Sequence, residues 1–255
     1  MELNLKNKIV LITGSSRGIG LEIAKKFLEE KSIIIITSRS EKELKTKTLM
    51  LQKKYKTKNV HYYTCDFTNE VDIINLKKKL KKKFSKIDVL ITNVGSGTSV
   101  TDAIPSKTIW KNIWSINFES TLLSIRNLLD LVKPKGSYLA ISSIVSISAL
   151  GAPTDYSVAK TALNSLIKNV SSKVAQPRMN IVSPGNIYFK NGSWEKKYQL
   201  NPKKTKKYIK DNVPLNRFGK PTEIANLVVF LSSEKASFIH GSNFVIDGGQ
   251  TKSIL

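Results

Sequence analysis

Short runs of β-branched and aliphatic residues recur along this chain, and longer stretches patterned for helices lie between them. Seven runs read as strands: 8–13, 33–37, 60–65, 88–92, 137–142, 179–183 and 243–247. Helical patterns occupy 19–31, 69–84, 106–132, 155–174 and 221–233. Strands alternating with helices form βαβ units, so the predicted fold is α/β, with a parallel sheet covered on both faces. No repeat, linker or shift of composition divides the 255 residues, and residues 1–255 read as a single domain. In such sheets ligands bind outside the carboxyl ends of the strands, so functional residues are expected just after strands.

The first strand meets that expectation. It runs into "TGSSRGIG" (13–20), and the helix "IGLEIAKKFLEE" opens directly from the turn. One glycine of Gly14, Gly18 and Gly20 makes the tight turn, another admits a pyrophosphate to the backbone, and the third packs helix on strand. The free N–H groups of the helix start then face the phosphates. An ordinary glycine-rich turn is the plain alternative. At the end of the second strand a NAD site usually carries an acid for the ribose hydroxyl. Here "ITSRSEKEL" has Ser38 at that place and Arg39 next to it, and Arg17 sits in the turn. Guanidinium without carboxylate suits a 2′-phosphate, so NADP(H) is the expected cofactor unless these arginines merely face solvent.

Later strand ends carry small polar residues: Asp66 in "CDFT", Asn93 and Gly95 in "TNVGSG", Ser142 and Ser143 in "ISSIVS", Pro184 and Gly185 in "SPGNI". Each alone reads as a turn residue; together they point the same way. In "TDYSVAKTAL" Tyr156 precedes Lys160 by four residues, which puts both on one helix face. Composition weakens that pair when taken alone, because a chain with 37 Lys and 8 Tyr holds about one such pair by accident.

The full set of motifs resembles the short-chain dehydrogenase/reductases. The likeness rests on "TGSSRGIG", "TNVG" in place of N-N-A-G, "ISS" thirteen residues before "YSVAK", "SPG", and the tail "RFGKPTEIANLVVFLSSEKASFIHGSNFVIDGGQT". It covers nearly the whole chain, and 3-oxoacyl-carrier-protein reductases are its best-known members. The resemblance implies a single-domain Rossmann fold with a doubly wound seven-stranded sheet, and a homo-oligomer, tetramer or dimer. It also implies a catalytic set of Asn117, Ser143, Tyr156 and Lys160. For the cofactor it implies Gly14, Ser16, Arg17, Gly18, Ile19 and Gly20 of the turn, Ser38, Arg39, Asp66, Phe67, Asn93, Val94 and Gly95. Pro184, Gly185 and Ile187, with Tyr156 and Lys160, complete that set. No metal is expected.

The implied reaction moves a hydride between nicotinamide and a carbonyl or secondary alcohol while Tyr156 moves the proton. A free phenol titrates near 10. A lysine charge about 4 Å away is worth roughly 4 kcal/mol at an effective dielectric near 20, so Lys160 is expected to pull Tyr156 toward neutrality. Ser143 is expected to hold the substrate oxygen, and Asn117 to fix a water that passes protons on from Lys160. Three departures mark this chain: Val94 for the usual alanine, Lys31 and Ser32 where a glycine ordinarily precedes the second strand, and Phe189 where a threonine often bonds the cofactor. Ser193 is the candidate to take over from that threonine. The alternatives are a sugar, polyketide or secondary-metabolite ketoreductase, and a non-catalytic NADP-sensing protein on the same fold, against which the intact catalytic set argues.

The formal charge of +23 invites a polyanionic partner. Nucleic-acid readers favour arginine, however, and only five Arg are present, so no nucleic-acid partner is expected. In "LKKKLKKKFSK" (76–86) Leu76, Leu80 and Phe84, with Ile73, form a core stripe that leaves the lysines on an open face. Residues 186–213, the family's substrate lid, hold eight Lys against two acids, interleaved with Tyr188, Phe189, Trp194, Tyr198 and Tyr208. Two readings stay open: aromatic walls with a cationic rim for an anionic or carrier-linked substrate, or a packed lid with solvated lysines. The longest apolar runs are too short to span a bilayer, the N-terminus lacks a secretory pattern, and Cys65 stands alone. A soluble cytoplasmic protein is expected, with no membrane partner.

Overall fold

All strand pairings among the described residues are parallel. The computed structural model describes residues 2–252. Its strands are β1 (Ile9–Ile12), β2 (Ile33–Ser38), β3 (Val60–Thr64), β4 (Ile87–Thr92), β5 (Val132–Ile141), β6 (Arg178–Pro184) and β7 (Asn243–Ile246). They form one seven-stranded sheet in the order β3-β2-β1-β4-β5-β6-β7. The central strands are apolar on both faces because both faces are covered. Along β1, Val10 and Ile12 join one core with Ile23, Phe27, Ile224 and Val228, whereas Leu11 joins the other with Ile73, Leu80, Leu163 and Ile167.

The first of these layers is carried by α1 (Gly18–Glu29), α2 (Glu41–Tyr55) and α9 (Pro221–Ser232). The second is carried by α3 (Glu70–Phe84), α5 (Ser120–Leu128) and α6 (Thr154–Ser171). The stripe on α3 is as expected: Ile73, Leu76 and Leu80 are buried, while Lys78, Lys79 and Lys81–Lys83 are exposed. Lys31, which stands where a glycine is usual, adopts a left-handed φ of 60°. Behind it Ser32 is buried and donates to the Leu5 carbonyl at 2.8 Å.

Three helices escape the sequence pattern. In α2 only Leu44, Thr48 and Leu51 are buried, too thin a stripe to stand out among its lysines. The lid folds as α7 (Ser193–Leu200), with no buried residue, and α8 (Pro202–Asn212), whose start Asn201 caps by accepting from the Lys204 N–H at 2.9 Å. The predicted helix over 106–132 is corrected. It divides into α4 (Lys107–Trp114), a π-helical turn (Ser115–Glu119), α5 and a 3₁₀ turn (Leu129–Leu131), after which β5 begins at Val132. The π turn adds one residue per turn and is a frequent device at functional sites; here it carries Asn117.

Candidate active site

Strand order reverses between β1 and β4, and the crevice at their carboxyl ends is where the glycine turn lies. Gly14 and Gly18 take φ of 61° and 57°, conformations that a side chain resists. Gly20 is required by closeness instead: a Cβ there would sit 2.5 Å from Asn93 Nδ2 and 2.8 Å from the Gly14 carbonyl. Asn93 locks the turn from across the crevice, its Nδ2 donating to the carbonyls of Thr13 (3.1 Å) and Gly14 (2.9 Å). Val94, bulkier than the family's alanine, is accommodated because Gly14 has no side chain: its Cγ2 lies 3.1 Å from the place of a Gly14 Cβ. Arg17 caps α1 without a side-chain hydrogen bond, and no acid stands in the first turn, so the helix start keeps its donors for an anion. Ser16 and Ile19 line the same turn. These features fit a dinucleotide pyrophosphate.

The second half of the crevice is built from β5, the π turn and α6. Ser143 follows β5 and heads a 3₁₀ turn, its Oγ accepting from the Val145 N–H at 3.4 Å. Tyr156 and Lys160 share one face of α6, and Lys160 is buried, its Nζ donating to the Ile141 carbonyl at 3.1 Å. Asn117 is fully buried. Its Nδ2 donates to the carbonyls of Ser96 and Ile113, both at 3.0 Å, and its Oδ1 accepts from the Ser96 N–H at 2.9 Å. Both amide hydrogens are thereby taken by main chain, and the side chain clasps the loop after β4. Gly95 bridges the set, because a Cβ on it would lie 3.1 Å from Asn117 Oδ1 and 3.2 Å from Lys160 Nζ.

Burial dominates the electrostatics here. It raises the Tyr156 phenol above its ordinary value, and a hydrogen bond with Ser143 opposes that rise. Burial also lowers Lys160 to about 8. The net shift of Tyr156 is thus upward rather than toward neutrality, since lifting the phenol out of water outweighs the hydrogen bond with Ser143. A lysine lowered to about 8 binds fewer protons when folded than when unfolded between pH 8 and its ordinary value near 10.5. Its charge therefore costs stability fully below pH 8, and the cost fades as pH rises through that window. Lys160→Met, which removes the buried charge, is expected to raise the Tm at pH 7 by several degrees relative to wild type, about 2–4 °C per kcal/mol at this size. The gap should close toward pH 10.5 in thermal melts run across pH; a gap independent of pH would show that Lys160 is not charged at its site.

The adenosine end lies past β2 and β3. Ser38 ends β2, and its Oγ bonds its own neighbour Ser40, so no carboxylate stands there. Arg39 is exposed, with its guanidinium 3.9 Å from Asp66. Beside them a cavity of about 300 Å³ is lined by Arg39, Cys65, Asp66, Asp72, Asn75 and Lys79. The residues from α3 in that lining were missed from sequence, where the helix reads only as a lysine face. Cys65 is buried, and burial pushes its thiol up to about 12; Phe67 packs into the core. Among the described residues no group of three or more His, Cys, Asp or Glu is placed to hold a metal.

Pro184 ends β6, Gly185 donates to the Ile246 carbonyl at 3.0 Å, and buried Ile187 packs in the core above them. Phe189 lies on the glycine turn: its ring comes within 2.7 Å of the place of a Gly18 Cβ, where the family's threonine would offer a hydroxyl. The other lid aromatics pack on one another and on Phe218, with ring centroids 5.4 Å apart for Trp194–Tyr208, Trp194–Phe218 and Tyr188–Phe218. Lys197 Nζ stands 4.5 Å over the Trp194 ring, and the remaining lid lysines are exposed. Sequence reasoning also missed buried Asp155, whose Oδ2 accepts from Ser99 Oγ at 2.6 Å. Its place directly before Tyr156 was the available signal.

The family model described as enoyl-(acyl carrier protein) reductase matches residues 14–251. The 3-oxoacyl-(acyl-carrier-protein) reductase FabG of Aquifex aeolicus is 32% identical over 98% of this chain and 99% of its own. Glucose 1-dehydrogenase 2 of Bacillus subtilis is 29% identical over 98% of this chain and 97% of its own. Among solved structures, L-sorbose reductase from Gluconobacter frateurii, complexed with NADPH and L-sorbose, superposes with a TM-score of 0.91, 27% identity and full coverage of both chains. Sheet order, glycine turn, the serine, tyrosine and lysine beside it and these likenesses agree: the chain belongs to the short-chain dehydrogenase/reductase family.

Proposed function

We propose that this protein is an NADP(H)-dependent oxidoreductase acting on carbonyl and secondary alcohol groups, with Tyr156 as the proton donor and acceptor. One observation carries the reading. Ser143, Tyr156 and Lys160 meet at the carboxyl ends of the strands beside a glycine turn fitted to a dinucleotide, with no carboxylate after β2. The bound nicotinamide would supply or accept the hydride. The phosphates would rest on the turn from Gly14 to Gly20, and the 2′-phosphate would fall to Arg39 and Arg17. Asp66 and Asn93 would hold the adenine and nicotinamide ends.

The chain's own residues do the proton work. Because burial raises Tyr156, its phenol is protonated at neutral pH and ready to give a proton to a carbonyl oxygen held by Ser143 Oγ. The phenolate left behind is stabilised by the Ser143 hydroxyl and by the Lys160 ammonium one turn along α6. Reduction is therefore favoured at neutral pH, and alcohol oxidation, which needs the phenolate, at alkaline pH.

In the same reading the protein is a cytoplasmic single domain that assembles as a homo-oligomer, and its substrate is a small carbonyl compound. NADPH oxidation followed against acetoacetyl-coenzyme A, ethyl acetoacetate and L-sorbose tests it. Turnover of the thioester favours a 3-oxoacyl reductase, after the FabG relative, and turnover of sorbose favours a sugar reductase, after the structural neighbour. No consumption with any carbonyl would overturn the reading.

The lid lysines support a solvated face better than an anion rim, because the aromatics between them pack on each other. Replacing Lys196, Lys197, Lys203 and Lys204 with Gln is expected to change the substrate KM by less than about twofold, since exposed charges act weakly through screening salt. A KM that rises tenfold in this variant, and with ionic strength in wild type, would instead require an anionic handle on the substrate.

A further inference from the structure

Five consecutive residues after β4, Gly95–Ser99, lie across every member of the Asn117, Tyr156 and Lys160 set. Gly95 fits against Asn117 Oδ1 and Lys160 Nζ. Ser96 is held through both its N–H and its carbonyl by the Asn117 amide. Gly97 covers the tyrosine, since a Cβ on it would lie 3.6 Å from Tyr156 Cζ and 3.9 Å from its Oη. At the far end Ser99 Oγ donates to Asp155 Oδ2 at 2.6 Å, and Asp155 Oδ1 accepts from the Tyr156 N–H at 2.7 Å.

Asp155 is only 1% exposed, yet among the described residues it makes no ion pair. A carboxylate taken out of water without a cation is costly unless hydrogen bonds compensate it. Its position in the first turn of α6 supplies part of that compensation through the helix dipole, and the short bond from Ser99 supplies more. The energy of burying this charge is thereby tied to where Ser99 sits. With Ser96 and Ser99 fastened, Gly97 between them has little freedom to lift from the phenol.

We propose that Asp155 is a positioning residue that, through Ser99, clamps the Gly95–Ser99 loop onto Tyr156 and so fixes where the substrate carbonyl can approach the phenol. The assignment rests on Tyr156 being the residue that transfers the proton. A hydrogen bond to a charged group of this kind is worth about tenfold or more in an equilibrium.

Hydrogen–deuterium exchange of the loop amides, read together with ethyl acetoacetate reduction, tests the clamp in the full-length protein. Asp155→Asn and Ser99→Ala are each expected to speed exchange at 97–100 about tenfold. Each should also lower kcat/KM for the ketoester about tenfold while the NADPH Kd stays within about twofold. The double variant should be no worse than Asp155→Asn alone, because both changes break one bond, and Ser99→Thr, which keeps the hydroxyl, should restore both readouts. Unchanged exchange in Ser99→Ala, additive losses in the double variant, or Ser99→Thr behaving like Ser99→Ala would each overturn the clamp. If Asp155→Asn does not fold, the Ser99→Ala and Ser99→Thr pair decides the question on a loop position. Exchange needs no turnover, so a wild-type rate in Tyr156→Phe would remove the catalytic reading and leave the clamp to be judged by exchange alone.

Discussion

Tyr156→Phe is expected to cut turnover about 10³-fold and to leave NADPH affinity within about twofold, because general acid catalysis at one positioned group contributes on the order of 10²–10⁴. The substitution keeps the ring that Gly97 packs against and removes only Oη. Nothing in the glycine turn, in Asn93 or at the adenosine end touches that oxygen, so cofactor binding has no reason to fall. Ser143 would still meet the substrate oxygen but would have no proton of the right acidity to give. Rapid-mixing measurement of NADPH oxidation, with a fluorescence titration of NADPH, separates the two effects. A wild-type kcat would end the assignment of Tyr156, and a parallel collapse of NADPH binding would move the tyrosine from chemistry to cofactor anchoring.

The second large effect is expected at the adenosine end. Ser38→Asp with Arg39→Ala should swing the ratio of kcat/KM for NADPH over NADH by about 100-fold toward NADH, since each charge-assisted bond gained or lost is worth about 1.5–3 kcal/mol. Arg39 is well placed to be decisive: its guanidinium is exposed, and its 3.9 Å contact with Asp66 is too loose to occupy it. The new carboxylate would repel a 2′-phosphate and accept from a 2′-hydroxyl at the end of β2. Steady-state kinetics with both cofactors measures the ratio. An unchanged ratio would assign the phosphate to Arg17 instead.

How much of this was legible in the sequence depended on what each residue reports. The strands were readable to within a few residues at most ends because Val10–Ile12, Ile34–Ile36 and Val89–Ile91 are buried on both faces, and such positions tolerate little but aliphatic side chains. β5 began earlier than expected, at Val132, because Lys133, Pro134 and Lys135 are exposed and do not look like a strand. The break at Asn117 was invisible, since a π turn inserts one residue without altering apolar periodicity over the flanking turns. The family motifs point to Ser143, Tyr156 and Lys160, but spacing alone could not show that the Ile141 carbonyl takes Lys160 Nζ. Nor could it show that burial outweighs the hydrogen bond with Ser143 at the phenol. Phe189 stands out in the sequence as a departure, and only three dimensions put its ring on Gly18.

The strand order has a consequence for how the chain is made. β4 pairs not with β3, which precedes it, but with β1 across the sheet, so the strand that completes the phosphate crevice is made only after β2 and β3. The phosphate turn at 14–20 remains unfastened until Asn93 arrives about 80 residues later. The last strand matters as much. Arg178 gives its guanidinium hydrogens to the carbonyls of Leu231, Ser233 and Ile239, and buried Asn180 donates to Ile239 and accepts from the Ser242 N–H. Until the segment after α9 is synthesised, the far half of the sheet holds polar groups with nothing to satisfy them. Pairings this distant in sequence fold slowly, and a nascent chain stalled before residue 243 would present β6 as an open edge, the form in which parallel sheets are most exposed to aggregation.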